Sequence, residues 1–191
     1  MKKKLLYMCY NNSMENMNFW VAQFIGLLAL ILLVFSYVRE NTNKILIVQV
    51  ISALLYCIHY YLLGAYSGFM ICFFEVIRDY SYYKTDLDDY IFVASIPIYV
   101  LIGLFNYKVF LDILPIFSST IDGFALTKEK KVIVFGSIIS YTLWLIYDIN
   151  VKSYSGILTS ALVIITNLMI LIFDKNLFKD KNISMHIDLN K

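Results

Sequence analysis

Between residues 19 and 173 the chain alternates long apolar runs with short polar breaks. Seven runs can be drawn, at 19–38, 44–63, 65–83, 90–106, 109–126, 132–149 and 153–173. Each approaches the ~20 residues that an α-helix, rising ~1.5 Å per residue, needs to cross a hydrocarbon core ~30 Å thick. Membrane β-strands are about half that length and alternate in polarity, which these runs do not. The breaks are RENTN, a turn at Gly64, KTDLDD, YK, TKEKK and NVK. Such short connections make consecutive helices antiparallel neighbours in one bundle and leave no room for a soluble domain. Residues 1–18 carry Lys2, Lys3 and Lys4, a short apolar run and the polar NNSMENMN, without the core or cleavage site of a secretory signal. They read as a tail, and residues 174–191 as a second tail forming a frayed or interfacial helix.

The pattern also repeats. At an offset of 88 residues Ser52 falls on Ser140, Leu55 on Leu143, Ile58 on Ile146, and Tyr66-Ser67-Gly68 on Tyr154-Ser155-Gly156. A match at one fixed offset, including a glycine just inside the following helix, points to a structural unit built twice. It carries predicted helices 2 and 3 onto helices 6 and 7 and leaves helix 4 unpaired. The fold class expected is all-α: a polytopic membrane protein of seven transmembrane helices in a 3+1+3 plan. Helix 4 returns the chain to its starting side, so the repeats are parallel. The divisions are a first repeat over 19–85, a connector over 86–107 and a second repeat over 108–173.

Composition agrees with a membrane setting. Hydrophobic residues make up 60% and charged residues 16% of the 191, against ~45–50% and ~25% in soluble domains. Net charge is only +2, without a basic stripe, so nucleic acid is not an expected partner. Alternating helix direction puts eleven of the 16 basic residues on the side of Arg39, Arg78, Lys128 and Lys191, and five on the side of Lys2, Lys108 and Lys152. The positive-inside tendency then places the N-terminus outside and the C-terminus in the cytoplasm. Cys9, Cys57 and Cys72 lack metal or redox spacing.

Gln23, Gly26 and Ser36, then Gln49 and Ser52, the run His59 to Gly68 (HYYLLGAYSG) and Arg78 form a pattern that resembles the YgjV family of small bacterial inner-membrane proteins. The likeness spans roughly 19–173, with its specific residues before Arg78. The plan of that family is similar to those of the SWEET sugar carriers and the nicotinamide riboside carriers, which implies a solute path between two triple-helix bundles. The chain departs from the sugar carriers in having no Pro-Gln dipeptide and only Pro97 and Pro115, so hinging at prolines is not implied.

Candidate chemistry concentrates in the repeats. Glu75, Arg78 and Asp79 share one face of helix 3. Arg78 falls within ~10 Å of the cytoplasmic edge. It either receives an anionic group or gates the path with its carboxylates, or it snorkels to water. His59 in helix 2 suits a proton-linked step or a plain interhelical hydrogen bond. Asn167 stands at the position of Asp79, facing it across the pseudo-axis or bonding a neighbouring helix. Tyr56 and Trp144, one from each half, suit stacking on a ring or sugar face. Asp122 is expected deep enough to pair with Arg78 or a nearby lysine, and Ser118, Ser119 and Thr120 to satisfy the carbonyl freed by Pro115. No nucleophile-base set, phosphate loop or metal cluster assembles, so neither enzyme activity nor a cofactor is expected. The functional expectation is a carrier working by alternating access. Tyr56, His59, Glu75, Arg78, Asp79, Trp144 and Asn167 would line its path, with the lipid bilayer and a small polar solute as partners and self-association as a further option. The other expectation is a non-transporting subunit that packs on a larger partner through apolar helix 1.

Overall fold

A computed structural model describes residues 2–36, 42–85, 87–106 and 109–173. The loop at 37–41, Lys108, the tail 174–191 and the side chains of Cys9 and Gln49 lie outside the described residues. The described chain is all helical: α1 Lys2–Ser36, α2 Thr42–Leu62, α3 Tyr66–Lys84, α4 Asp88–Asn106, a 3-10 turn Phe110–Ile113, α5 Leu114–Leu126, α6 Lys130–Val151 and α7 Tyr154–Phe173. Every one of the seven α-helices leaves large apolar side chains exposed, among them Phe24, Leu54, Phe73, Leu104, Phe117, Ile139 and Ile165. Water would penalise such a surface, whereas lipid chains match it. By length and composition three segments suffice to cross a membrane, Met17–Val34, Lys130–Val151 and Tyr154–Phe173.

Two boundaries differ from the sequence reading. The stretch expected as a tail over 1–18 is helical from Lys2 and continuous with α1. No proline or glycine interrupts that stretch, and its Leu, Met, Lys and Glu residues favour helix. The fifth run is not one helix: it is a 3-10 turn followed by the 13 residues of α5. Pro115 sits in the first turn of α5, where a missing amide costs nothing. It therefore starts a helix rather than bending one, and no carbonyl is freed for the following hydroxyls. Ser118 instead bonds the Ser140 hydroxyl on α6 at 2.7 Å, and Thr120 bonds the Ile116 carbonyl in its own helix at 2.8 Å.

The 88-residue offset recurs in the backbone geometry of two turns. The α2–α3 turn passes through Gly64 at φ 70° and the α6–α7 turn through Lys152 at φ 57°, positions 88 apart. Ala65 N–H donates to the Tyr60 carbonyl at 3.0 Å, and Ser153 N–H to the Asp148 carbonyl at 2.9 Å. Gly64 N–H reaches Tyr61 O and Lys152 N–H reaches Ile149 O in the same register. This is one left-handed helix cap made twice.

Helix contacts show a similar pattern in the first and last three helices. Within the halves α1 lies along α2 and α2 along α3, as α5 lies along α6 and α6 along α7. Between the halves α1 touches α7 and α3 touches α5, contacts that exchange when the halves are swapped. Among the described residues the backbones of α2 and α6 do not come within 8 Å (Cα–Cα). Helix α4 lies outside, against α3 and α5.

Candidate functional site

The space left between α2 and α6 is a cleft of about 480 Å³. Apart from α1, which adds Leu33 alone, each surrounding helix contributes residues three or four apart, on one face of the helix. Val50, Ala53, Tyr56 and Tyr60 come from α2, and Ser137, Ser140, Tyr141, Trp144 and Asp148 from α6. Several lining residues are equivalents at the repeat offset: Ser52 and Ser140, Tyr56 and Trp144, Tyr60 and Asp148, Cys72 and Ser160, Glu75 and Val163, Asp79 and Asn167. In the last two pairs the acid belongs to the first half; at Tyr60/Asp148 it belongs to the second.

Burial grades the cleft from one end to the other. The Asp79 side chain is 51% exposed, whereas Asp148 is 1% and Tyr60 5% exposed. The floor is therefore at Asp148, whose carboxylate accepts from Tyr60 Oη at 2.8 Å and from Ser160 Oγ at 3.2 Å. Tyr60 stacks on Trp144 with ring centroids 5.5 Å apart and planes 23° from parallel. Tyr56 Oη bonds the Thr159 hydroxyl, closing the α2–α7 side.

Beyond the floor the two halves are fastened together. His59 Nδ1 lies 2.7 Å from the Ala22 carbonyl and Nε2 2.8 Å from Ser153 Oγ. A carbonyl only accepts, so Nδ1 carries a proton and in the neutral ring Nε2 accepts the Ser153 hydroxyl. Ser153 Oγ in turn accepts the Gly156 N–H at 3.1 Å. Tyr147, the equivalent of His59, makes the reciprocal contact: Gly68 N–H donates to its Oη at 3.0 Å. Gln23 adds a third tie, donating to the Lys152 carbonyl at 2.7 Å and accepting the Tyr154 N–H at 3.0 Å. Gly26 is required where α1 passes this junction, since an added Cβ would meet Ser155 Oγ and the His59 ring.

Arg78 is 3% exposed and turned into the protein, so it does not snorkel. Its Nε and Nη2 reach Asp79 Oδ1 at 2.8 Å, and Nη2 reaches Asp122 Oδ2 at 3.3 Å. Nη1 donates to the Ser119 carbonyl at 2.8 Å and to Tyr99 Oη at 3.1 Å. Gly123 admits the guanidinium, because a Cβ there would lie 2.7 Å from Nη1. The arginine thus ties α3 to α4 and α5 behind the cleft wall, with two carboxylates already on it, which leaves little for an incoming anion. Asp122 pairs with Arg78, one of the two options its depth allowed.

Of the seven residues singled out in the sequence, Tyr56, Glu75, Asp79, Trp144 and Asn167 line the cleft. Asn167 also donates to the Val163 carbonyl of its own helix at 2.9 Å. His59 and Arg78 stand outside the lining, the first in the interhelical junction and the second in the wall. The floor of Asp148, Tyr60 and Ser160 escaped the sequence reading. Its signal was the offset itself, since Asp148 is the acid at the position of Tyr60. Among the described residues no three His, Cys, Asp or Glu side chains gather as a metal would require.

Searches of curated proteins and of solved structures find no match to the chain. Residues 20–175 match the family model Imp-YgjV, described as a bacterial inner membrane protein. That match covers most of the length over which the helices and the cleft are built, and the chain belongs to the Imp-YgjV family of bacterial inner membrane proteins.

Proposed function

We propose that all seven helices cross the inner membrane as two parallel three-helix repeats joined by α4, and that the cleft between them carries a small polar solute by alternating access. The observation that carries this reading is a cleft lined by repeat-equivalent residues, deepest at a buried carboxylate and fastened beyond it by contacts between the halves. Apolar surface on every helix supports seven crossings. In the orientation set by the basic residues, the Asp79–Asn167 mouth faces the cytoplasm and the His59–Ser153 junction the periplasm. Opening to the other side then requires the His59, Tyr147 and Gln23 ties to part while the wall braced by Arg78 closes.

Cysteine reactivity tests the reading in full-length protein with Cys9, Cys57 and Cys72 replaced. Val163→Cys reacts with N-ethylmaleimide added to inside-out vesicles. The further change Gln23→Ala, which loosens the periplasmic junction, raises its reactivity toward an impermeant maleimide added to right-side-out cells. Reactivity unchanged by Gln23→Ala contradicts alternating access, and Lys152→Cys unreactive from outside reverses the orientation. The second reading, a non-transporting subunit docked through α1, draws on the exposed stripe Trp20, Phe24, Leu27, Ile31 and Val34. It predicts a dry cleft in which Val163→Cys is inert from both faces.

A further inference from the structure

We infer that the solute admitted to this cleft is a small organic cation with a flat apolar face, a specification that rests on the carrier reading. Four carboxyl groups line the cleft, those of Glu75, Asp79, Asp122 and Asp148, and among the described residues no Lys, Arg or His does. Arg78 reaches Asp79 and Asp122 from behind the wall and supplies one positive charge. Its guanidinium is held by Ser119 and Tyr99 as well, so it cannot swing into the cleft without abandoning buried partners. The carboxyls therefore outnumber the fixed cation.

Asp148 makes the case sharper. Its oxygens meet the neutral hydroxyls of Tyr60 and Ser160, and no ion pair to it is formed among the described residues. A carboxylate in a low-dielectric interior needs a proton or a cation for balance. An entering cation meets that need, whereas an anion meets like charge at the mouth, along the wall and at the floor. Next to Asp148 stands the Tyr60–Trp144 stack, with Tyr56 and Tyr141 also on the lining. The electron-rich faces of such rings attract cations and cover flat apolar groups. A space of about 480 Å³ fits a small organic molecule. A bare metal ion would instead need ligands gathered closely, and no such group exists among the described residues.

The test uses the same cysteine-replaced full-length protein bearing Val163→Cys, on α7 between the mouth and the floor. Two methanethiosulfonates are compared, one ending in trimethylammonium and one in sulfonate, each rate normalised to reaction with a free thiol in solution. The expected normalised ratio favours the cationic reagent by ~10-fold or more. Benzyltrimethylammonium slows the reaction with neutral N-ethylmaleimide in a saturable way, while benzyl alcohol and benzoate at the same concentration do not. Asp148→Asn raises the half-protecting concentration ~10-fold, and Glu75→Gln serves the same purpose if that variant does not fold. Equal or faster reaction with the sulfonate, or protection by benzoate, overturns the inference and leaves the open cleft intact. Absence of reaction with N-ethylmaleimide from either face removes the carrier reading, and this inference with it.

Discussion

Arg78 and Asp148 are both buried and charged in type, but their partners give them different roles. Arg78 is surrounded by two carboxylates, a carbonyl and two hydroxyls, an arrangement that compensates its desolvation and fixes α3 against α5. Arg78→Ala is expected to destabilise the protein by about 3–5 kcal/mol, because Asp122 is left without its cation. Arg78→Lys recovers less than half of that, since a single ammonium cannot replace the planar fork. Unfolding in detergent measures both, and a loss for Arg78→Ala no larger than that for an exposed lysine would contradict the brace. Asp148→Asn, by contrast, keeps the hydroxyl partners and should alter stability by less than ~1–2 kcal/mol while changing what the cleft binds. The sequence made Arg78 conspicuous because an arginine inside an apolar run is costly wherever it points. It hid Asp148 because a carboxylate at the next-to-last residue of a run looks interfacial. Only the inward turn of that side chain distinguishes the two situations, and that depends on the neighbouring helices. For His59 the sequence leaves open both proton chemistry and a structural bond, the second being the commoner role of a lone membrane histidine. Its contacts with Ala22 and Ser153 make it a fastening between the halves.

At the scale of elements, the helix-to-helix turn is the most informative unit. Gly64 and Lys152 occupy the same left-handed position, where glycine is unstrained and lysine costs about 1 kcal/mol. Lys152→Gly is therefore expected to stabilise the protein by about 1 kcal/mol and Gly64→Ala to destabilise it by a similar amount, although space around Gly64 is open. Gly68→Ala should cost more, because its Cβ would lie 2.8 Å from the Tyr147 ring and disturb the bond between the halves. Thermal shifts in one detergent rank the three variants; Lys152→Gly less stable than the parent would contradict the shared cap. The repeated Tyr-Ser-Gly announced this turn from sequence alone, since the glycine has a steric reason to recur. The break in the fifth helix was not legible, because a proline in an apolar run reads alike as a bend and as a start. Asp112, accepting the Val109 N–H at 3.0 Å, decides for a start.

For the whole molecule, the proposed duplication would account for the cleft. With α1 against α7 and α3 against α5, helices α2 and α6 stay apart, and the gap collects residues at equivalent positions of the 88-residue offset, identical at Ser52/Ser140 and different in type at the others. Helix number and most of the approximate borders followed from apolar run length. What lay beyond the sequence was which polar side chains turn inward, because on α1 to α6 apolar residues occupy both the exposed and the buried faces. A cysteine scan along α7 most directly tests the proposal that a water-filled cleft opens between two repeats. Replacing residues 156 to 169 one at a time and reacting each with N-ethylmaleimide in inside-out vesicles should give reactivity that follows the helical period. Positions 160, 163 and 167 should be high and the lipid-facing 158, 162, 165 and 169 low. Uniform protection, or reactivity highest at the lipid-facing positions, would mean that no cleft opens between the two halves.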